Sequence, residues 1–288
     1  MKRIFLCLII SLALAVSASA ASDKIAKETI ASGGKRRTIY LFAPAGTKAS
    51  APLIVLLHGS GRNGNSLVEK WKDLAAKEGI VLVGPDAQDS RAWSMHADGP
   101  QFLYDLVESL KTKYQVNPRR VYLFGHSAGA VFALNMSMLE SEYFAATAVH
   151  AGAWREPQEF QLMDYAERKI PLAIWVGDND NFFPLVSVKE TNARLRERGF
   201  PIETNIMKGH THWYYDLAPQ INRQAWDFLK PHELPADPKY REFAQAKDTR
   251  PPDQMNARRV EVRQKAESLQ READALGKKA EEVRAKGN

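Results

Sequence analysis

This sequence predicts an α/β fold: a mainly parallel central sheet, helices on both of its faces, and a charged helical extension at the C-terminus. Three observations carry the prediction. Apolar runs of strand length alternate with amphipathic, helix-like segments between residues 38 and 230, as they do where crossover helices join parallel strands. The central runs are apolar at nearly every position, as strands buried on both faces should be. The residues able to do chemistry fall just after those runs, and open α/β sheets carry their sites at the carboxyl ends of the strands.

The chain starts with Met1-Lys2-Arg3, continues through an apolar run over 4–16 broken only by Ser11, and reaches Ala18-Ser19-Ala20. A basic start, a short apolar stretch and a small-x-small exit make residues 1–20 a signal peptide, cleaved after Ala20. The run is shorter than the roughly 20 apolar residues that cross a bilayer. The expected location is therefore secreted or periplasmic, with no stable membrane insertion after cleavage. Cys7, the one cysteine of the 288 residues, lies inside this leader. The mature chain then has no disulfide, thiolate nucleophile or cysteine metal ligand. The net charge is +6, Lys2 and Arg3 supply two of those charges, and the remaining basic residues are interspersed with acidic ones. A nucleic-acid partner would require a concentrated basic face, and none is expected.

Residues 38–42 read as an edge strand. The run 53–57 (LIVLL) reads as a fully buried strand, as do 80–83, 121–124 and 172–176, while 146–149 and 202–207 are weaker candidates. Helical spacing covers 67–77, 100–114, 128–139, 187–198 and 214–229. Within 100–114, Phe102, Leu103, Leu106, Val107, Leu110 and Tyr114 recur every three or four positions, the spacing of one helix face. These elements define a domain over 21–230. Pro231, Pro235, Pro238, Pro251 and Pro252 then punctuate a polar linker, 231–254. In the charged extension 255–288, Val262, Leu269, Leu276 and Val283 stand seven apart, with Ala266, Ala273 and Ala280 four after the first three. That is a heptad seam, though a narrow one. It reads either as a solvated helix on its own domain or as a surface for self-association or a partner helix.

Gly125-His126-Ser127-Ala128-Gly129 joins a buried strand to a helix. A serine in G-x-S-x-G at such a turn forms a nucleophile elbow, with its hydroxyl at the tip of the sheet. The glycines remove Cβ atoms that would collide with neighbouring backbone. A Gly-rich turn presents the same letters, so the reading rests on an acid and a histidine following in that order. Strand 172–176 runs into Gly177-Asp178-Asn179-Asp180-Asn181-Phe182-Phe183-Pro184, which offers two carboxylates. Gly209-His210-Thr211-His212-Trp213 follows the last strand and offers two imidazoles. Upstream, Leu57-His58-Gly59-Ser60-Gly61 is the loop expected to supply an oxyanion-hole N–H, from Ser60. Ala128, after the serine, supplies the other.

Together these four segments resemble the exported α/β-hydrolase esterases that include polyhydroxybutyrate depolymerases, feruloyl esterases and acetyl xylan esterases. The resemblance covers about residues 35–230. It is carried by the stretches 52–59 (PLIVLLHG) and 114–129 (YQVNPRRVYLFGHSAG), then by Phe144-Ala145-Ala146 through Ala151-Gly152. It implies the α/β-hydrolase fold and cleavage of a small or polymeric ester through an acyl-enzyme, with no cofactor or metal. In that family the acid stands three residues after a Gly and four before a Pro, which selects Asp180 over Asp178. The family's G-x-x-H context selects His212 over His210. The implied triad is Ser127, Asp180 and His212. The chain departs from secreted depolymerases in having no cysteines around the elbow, and its helical extension is not a standard part of the catalytic module.

Other residues have plainer readings. His58 is expected to be structural, and His126 to line the site or pack beside it. Trp213 is expected in a substrate wall, whereas Trp93, Trp154, Phe182 and Phe183 lie in loops where aromatics often only cover a core. On an extended segment His210 and His212 would point to one face, as metal ligands do. That metallohydrolase alternative lacks a further clustered ligand element and leaves the elbow unexplained. A serine peptidase of the same fold and a non-catalytic binding protein acting through the helical tail are the remaining alternatives. A binding protein has no need of Ser, Asp and His in order.

Overall fold

Period-two burial in the central strands sorts the core into two layers. Leu53, Val55 and Leu57 face one cluster, whereas Ile54 and Leu56, between them in sequence, face the other. The computed structural model describes residues 24–241, all within one compact unit. Its elements run β1 (Ala26–Ser32), β2 (Lys35–Phe42), β3 (Ala51–Leu57), α1 (Asn65–Glu78), β4 (Val81–Pro85), α2 (Met95–Asp98) and α3 (Pro100–Tyr114). Then come β5 (Val116–His126), α4 (Ala128–Leu139), β6 (Ala146–His150), α5 (Pro157–Gln161), β7 (Leu172–Gly177), α6 (Leu185–Glu197), β8 (Ile202–Met207) and α7 (Ala218–Leu229).

The strands form one eight-stranded sheet in the order β1-β2-β4-β3-β5-β6-β7-β8. Pairing is antiparallel at β1–β2 and β2–β4 and parallel from β4 to β8. Helices α3, α4 and α6 cover one face, and α1 and α7 the other. This is the α/β-hydrolase architecture. α4 is buried over most of its surface between Ala130 and Leu139, as suits a predominantly apolar helix lying in a core. It follows Ser127 directly, so its packing fixes the elbow. Among the described residues, no helix is long and apolar enough to cross a membrane.

The structure departs from the sequence expectations at several points. β1 was not anticipated, because its residues alternate between exposed and half-buried and carry no apolar run. β5 begins five residues before the expected apolar stretch. It accommodates Pro118 through an irregularity in register, in which Ala51 pairs with Val116 but Leu53 pairs with Val121. The helix expected over 214–229 is a 3-10 turn, Tyr214–Asp216, followed by α7, whose first turn holds Pro219, where a missing N–H costs nothing. The start of the expected linker, 231–241, lies against the domain. Leu234 N–H donates to the Arg119 carbonyl, and Tyr240 stacks on Tyr104 at 4.1 Å. The signal peptide over 1–20 and the helical extension 255–288 lie outside the described residues.

Candidate active site

The elbow is strained. Ser127 has φ 56° and ψ −118°, a conformation that only surrounding structure can hold. Its N–H donates to the His150 carbonyl at 3.1 Å, which ties the turn to β6. The flanking glycines are required by close approach. A Cβ on Gly129 would lie 2.0 Å from the Leu57 carbonyl oxygen, and one on Gly125 would lie 2.3 Å from that of Gly129.

At this tip three side chains from distant loops form one hydrogen-bonded line. His212 Nε2 lies 2.9 Å from Ser127 Oγ, and His212 Nδ1 lies 2.9 Å from Asp180 Oδ2. The second oxygen, Oδ1, accepts the N–H groups of Phe182 at 2.8 Å and Phe183 at 2.9 Å. Burial pushes the Asp180 carboxyl up, but the His212 hydrogen bond and the Phe183 and Phe182 N–H groups outweigh it and hold the pKa below its ordinary value. With the carboxylate ionised, Nδ1 carries the imidazole proton and Nε2 is free to accept the hydroxyl proton. Phe182 and Phe183 bracket the His212 ring at 4.7 and 5.8 Å between centroids.

Asp178 and His210 go elsewhere. Asp178 Oδ1 accepts the Gly209 N–H at 2.7 Å and joins the two loops from the solvent side. His210 Nε2 meets His150 Nε2 at 3.0 Å. The two rings of the H-x-H pair thus take different partners, because the segment is a turn and not an extended strand.

The loop after β3 lies directly over the serine. A Cβ on Gly59 would come within 3.3 Å of Ser127 Cβ. Among the described residues, the Ser60 and Ala128 N–H groups donate to no protein acceptor. His58 holds this loop in shape. The Ala87 N–H donates to its Nε2 at 3.1 Å, which puts the ring proton on Nδ1, 2.8 Å from the Gly59 carbonyl it donates to. Burial lowers the His58 pKa and keeps that ring neutral. Trp93 Nε1 donates to the His58 carbonyl at 2.8 Å, and Ser60 Oγ donates to the Arg91 carbonyl. Segment 86–98 is itself pinned by a buried ion pair, Arg37 to Asp98. Asp98 also accepts the N–H groups of Gln88 and Ser94, the kind of full satisfaction a buried charge requires.

Trp213, 46% exposed, stands beside His212. The Arg62 guanidinium lies 5.1 Å from both the Trp213 and Tyr215 rings. Trp154 is buried and donates to Asn135, and Trp93 stacks on Phe132, so both belong to the packing. The bracket of Phe182 and Phe183 around His212 was not legible beforehand, nor was the role of His150. His150 ends β6 one residue beyond the apolar run that marked the strand.

Comparison with known proteins identifies the family. The family described as the dienelactone hydrolase family matches residues 40–227. A bifunctional acetylxylan esterase/xylanase of Neocallimastix patriciarum is 28% identical over 152 residues, 51% of this chain and 22% of that protein. A poly(3-hydroxyalkanoate) depolymerase of Paucimonas lemoignei is 27% identical over 127 residues, 40% of this chain and 31% of that protein. The matched part thus spans less than a third of either relative. Among solved structures, a fluorophosphonate-binding serine hydrolase of Staphylococcus aureus superposes with a TM-score of 0.61 at 14% identity, covering 72% of this chain and 98% of that one.

Proposed function

This chain belongs to the dienelactone hydrolase family, and from that premise we propose that it is a serine-dependent carboxylic-ester hydrolase. The observation that carries the reading is the unbroken line Asp180–His212–Ser127, with both links at 2.9 Å. In the proposed reaction His212 Nε2 takes the Ser127 proton as Oγ attacks the ester carbonyl. Asp180 stabilises the imidazolium, and the Ser60 and Ala128 N–H groups receive the oxyanion. His212 then protonates the leaving alcohol. Water repeats the sequence on the acyl-enzyme, releasing the acid and restoring Ser127. No step calls for a metal or cofactor.

The substrate is proposed as a small or polymeric ester. The relatives' names support that class, and Phe182 and Phe183 against the His212 ring, with the half-exposed Trp213 next to it in sequence, are proposed as the aromatic wall of the approach to Ser127. The basic start, short apolar run and small-x-small exit of residues 1–20, read as a signal peptide, support a secreted or periplasmic site of action. Hydrolysis of p-nitrophenyl acetate and butyrate by the purified chain tests the reading. The expected result is saturable turnover that Ser127→Ala removes. Equal rates for the two proteins would reject it.

A further inference from the structure

Three buried histidines that the proposed reaction does not use form a continuous chain behind the site. His126 Nδ1 lies 3.0 Å from His150 Nδ1, and His150 Nε2 lies 3.0 Å from His210 Nε2. Their exposures are 4%, 0% and 8% in that order. Each ring is attached to a working part. His126 precedes Ser127. The His150 carbonyl accepts the Ser127 N–H. His210 stands two residues before His212, and its carbonyl accepts the Asn179 N–H, next to Asp180, at 3.0 Å. The chain therefore runs from the end of β5, over the end of β6, to the loop after β8.

Counting protons shows what the chain requires. A neutral imidazole has one N–H and one lone pair. Three neutral rings satisfy both links, pointing either from His126 toward His210 or the reverse. Two added protons would set N–H against N–H at a link. Burial opposes charge on these rings, and the neighbouring imidazoles and Arg62 add to it, whereas the Asp180 and Asp216 carboxylates favour it. His126 faces His212, Asp180, Arg62 and the rings of Tyr214 and Tyr215. His150 faces His126, His210, His212 and the Tyr214 ring. His210 faces Asp180, His212 and Asp216. Burial pushes all three pKa values down, that of His126 to about 3.

We propose that His126, His150 and His210 are positioning residues: a hydrogen-bonded imidazole chain, with His150 as its middle link, that holds the elbow and the histidine loop in register so that His212 Nε2 meets Ser127 Oγ. The proposal rests on the serine-hydrolase reading above. It explains why three imidazoles are buried where apolar side chains would fill the space. Aliphatic packing has no preferred direction, whereas two N–H···N links fix distance and angle between three loops at once.

The test compares the wild type with His150→Leu, which fills space but cannot bond, and His150→Gln, whose amide offers one donor and one acceptor face. In the wild type, ring-nitrogen NMR is expected to show two slowly exchanging link protons. It is also expected to show three histidines that are neutral at pH 7, each titrating below a free imidazole. His150→Leu is expected to lower kcat about tenfold or more with KM within about twofold, the pattern of lost alignment. His150→Gln is expected to recover to within about threefold of the wild type.

Absence of both link protons from the wild-type spectrum would overturn the proposal. So would wild-type kcat in His150→Leu, or equal loss in both variants, which would assign the effect to volume. If His150→Leu does not fold, the ring spectrum and the His150→Gln rate decide. Failure of the serine-hydrolase reading is recognised separately, because the wild type itself would then fail to turn over esters while the ring spectrum still reports on the chain.

Discussion

Gly177 lies against His210 so closely that a Cβ on the glycine would stand 1.9 Å from the His210 carbonyl oxygen. The turn that carries Asp180 and the loop that carries His212 are thus in backbone contact. The Asn179 N–H, donated to the same carbonyl at 3.0 Å, locks it. The distance between acid and base is set here, not by the flexible ends of their side chains.

Gly177→Ala is therefore expected to separate the two loops. A backbone oxygen cannot yield as a side-chain tip can, so a stability cost of about 1–3 kcal/mol follows, with a fall in kcat of about a hundredfold for a displacement near 1 Å. Thermal melting and steady-state kinetics on one preparation check both figures. Wild-type kcat in the variant would show that the contact does not set the alignment.

The two aspartates of the acid turn are expected to behave differently. Asp180→Asn keeps the shape but favours the wrong imidazole tautomer, and the expected loss in kcat is about 10⁴-fold. The Asp178 side chain accepts the Gly209 N–H from the solvent side, away from His212, so Asp178→Ala should stay within about tenfold of the wild type. Kinetics of the two single variants measure the contrast, and the reverse order would reassign the acid.

Glu140 gives the fold a pH dependence of definite sign. Burial pushes its carboxyl up to about 8, against the Arg241 N–H and guanidinium, and its Oε1 has no partner among the described residues. The neutral acid is the form the fold prefers. Its contribution is whole below the ordinary pKa near 4.5 and is lost as pH rises through about 8. Glu140→Gln should melt like the wild type near pH 4.5 and on the order of 5 °C higher at pH 9. Melting curves across that range check it, and a parallel pair of curves would contradict it.

The sheet was legible in the sequence because its central strands are buried on both faces, so runs such as Leu53–Leu57 in β3 are apolar throughout. β1 was not legible, since a half-exposed edge strand such as Ala26–Ser32 shows only weak alternation. At the site, Ser127 was marked by a local motif whose glycines have a steric cause. The choice of Asp180 over Asp178 and of His212 over His210 came from the resemblance. Nothing local distinguishes two aspartates in one turn or two histidines in one loop until their backbones are placed. The imidazole chain was hidden for the same reason. His126, His150 and His210 are separated by 24 and 60 positions, and only the parallel order of β5 and β6 and the return of the loop after β8 bring them together.

Covalent labelling of the folded chain with a fluorophosphonate, run beside Ser127→Ala and followed by peptide mass mapping, reads the activated serine itself. One adduct is expected, on the peptide containing Ser127, and none in the variant. No adduct on the folded wild type, or an adduct that persists in Ser127→Ala, would contradict the serine-hydrolase reading.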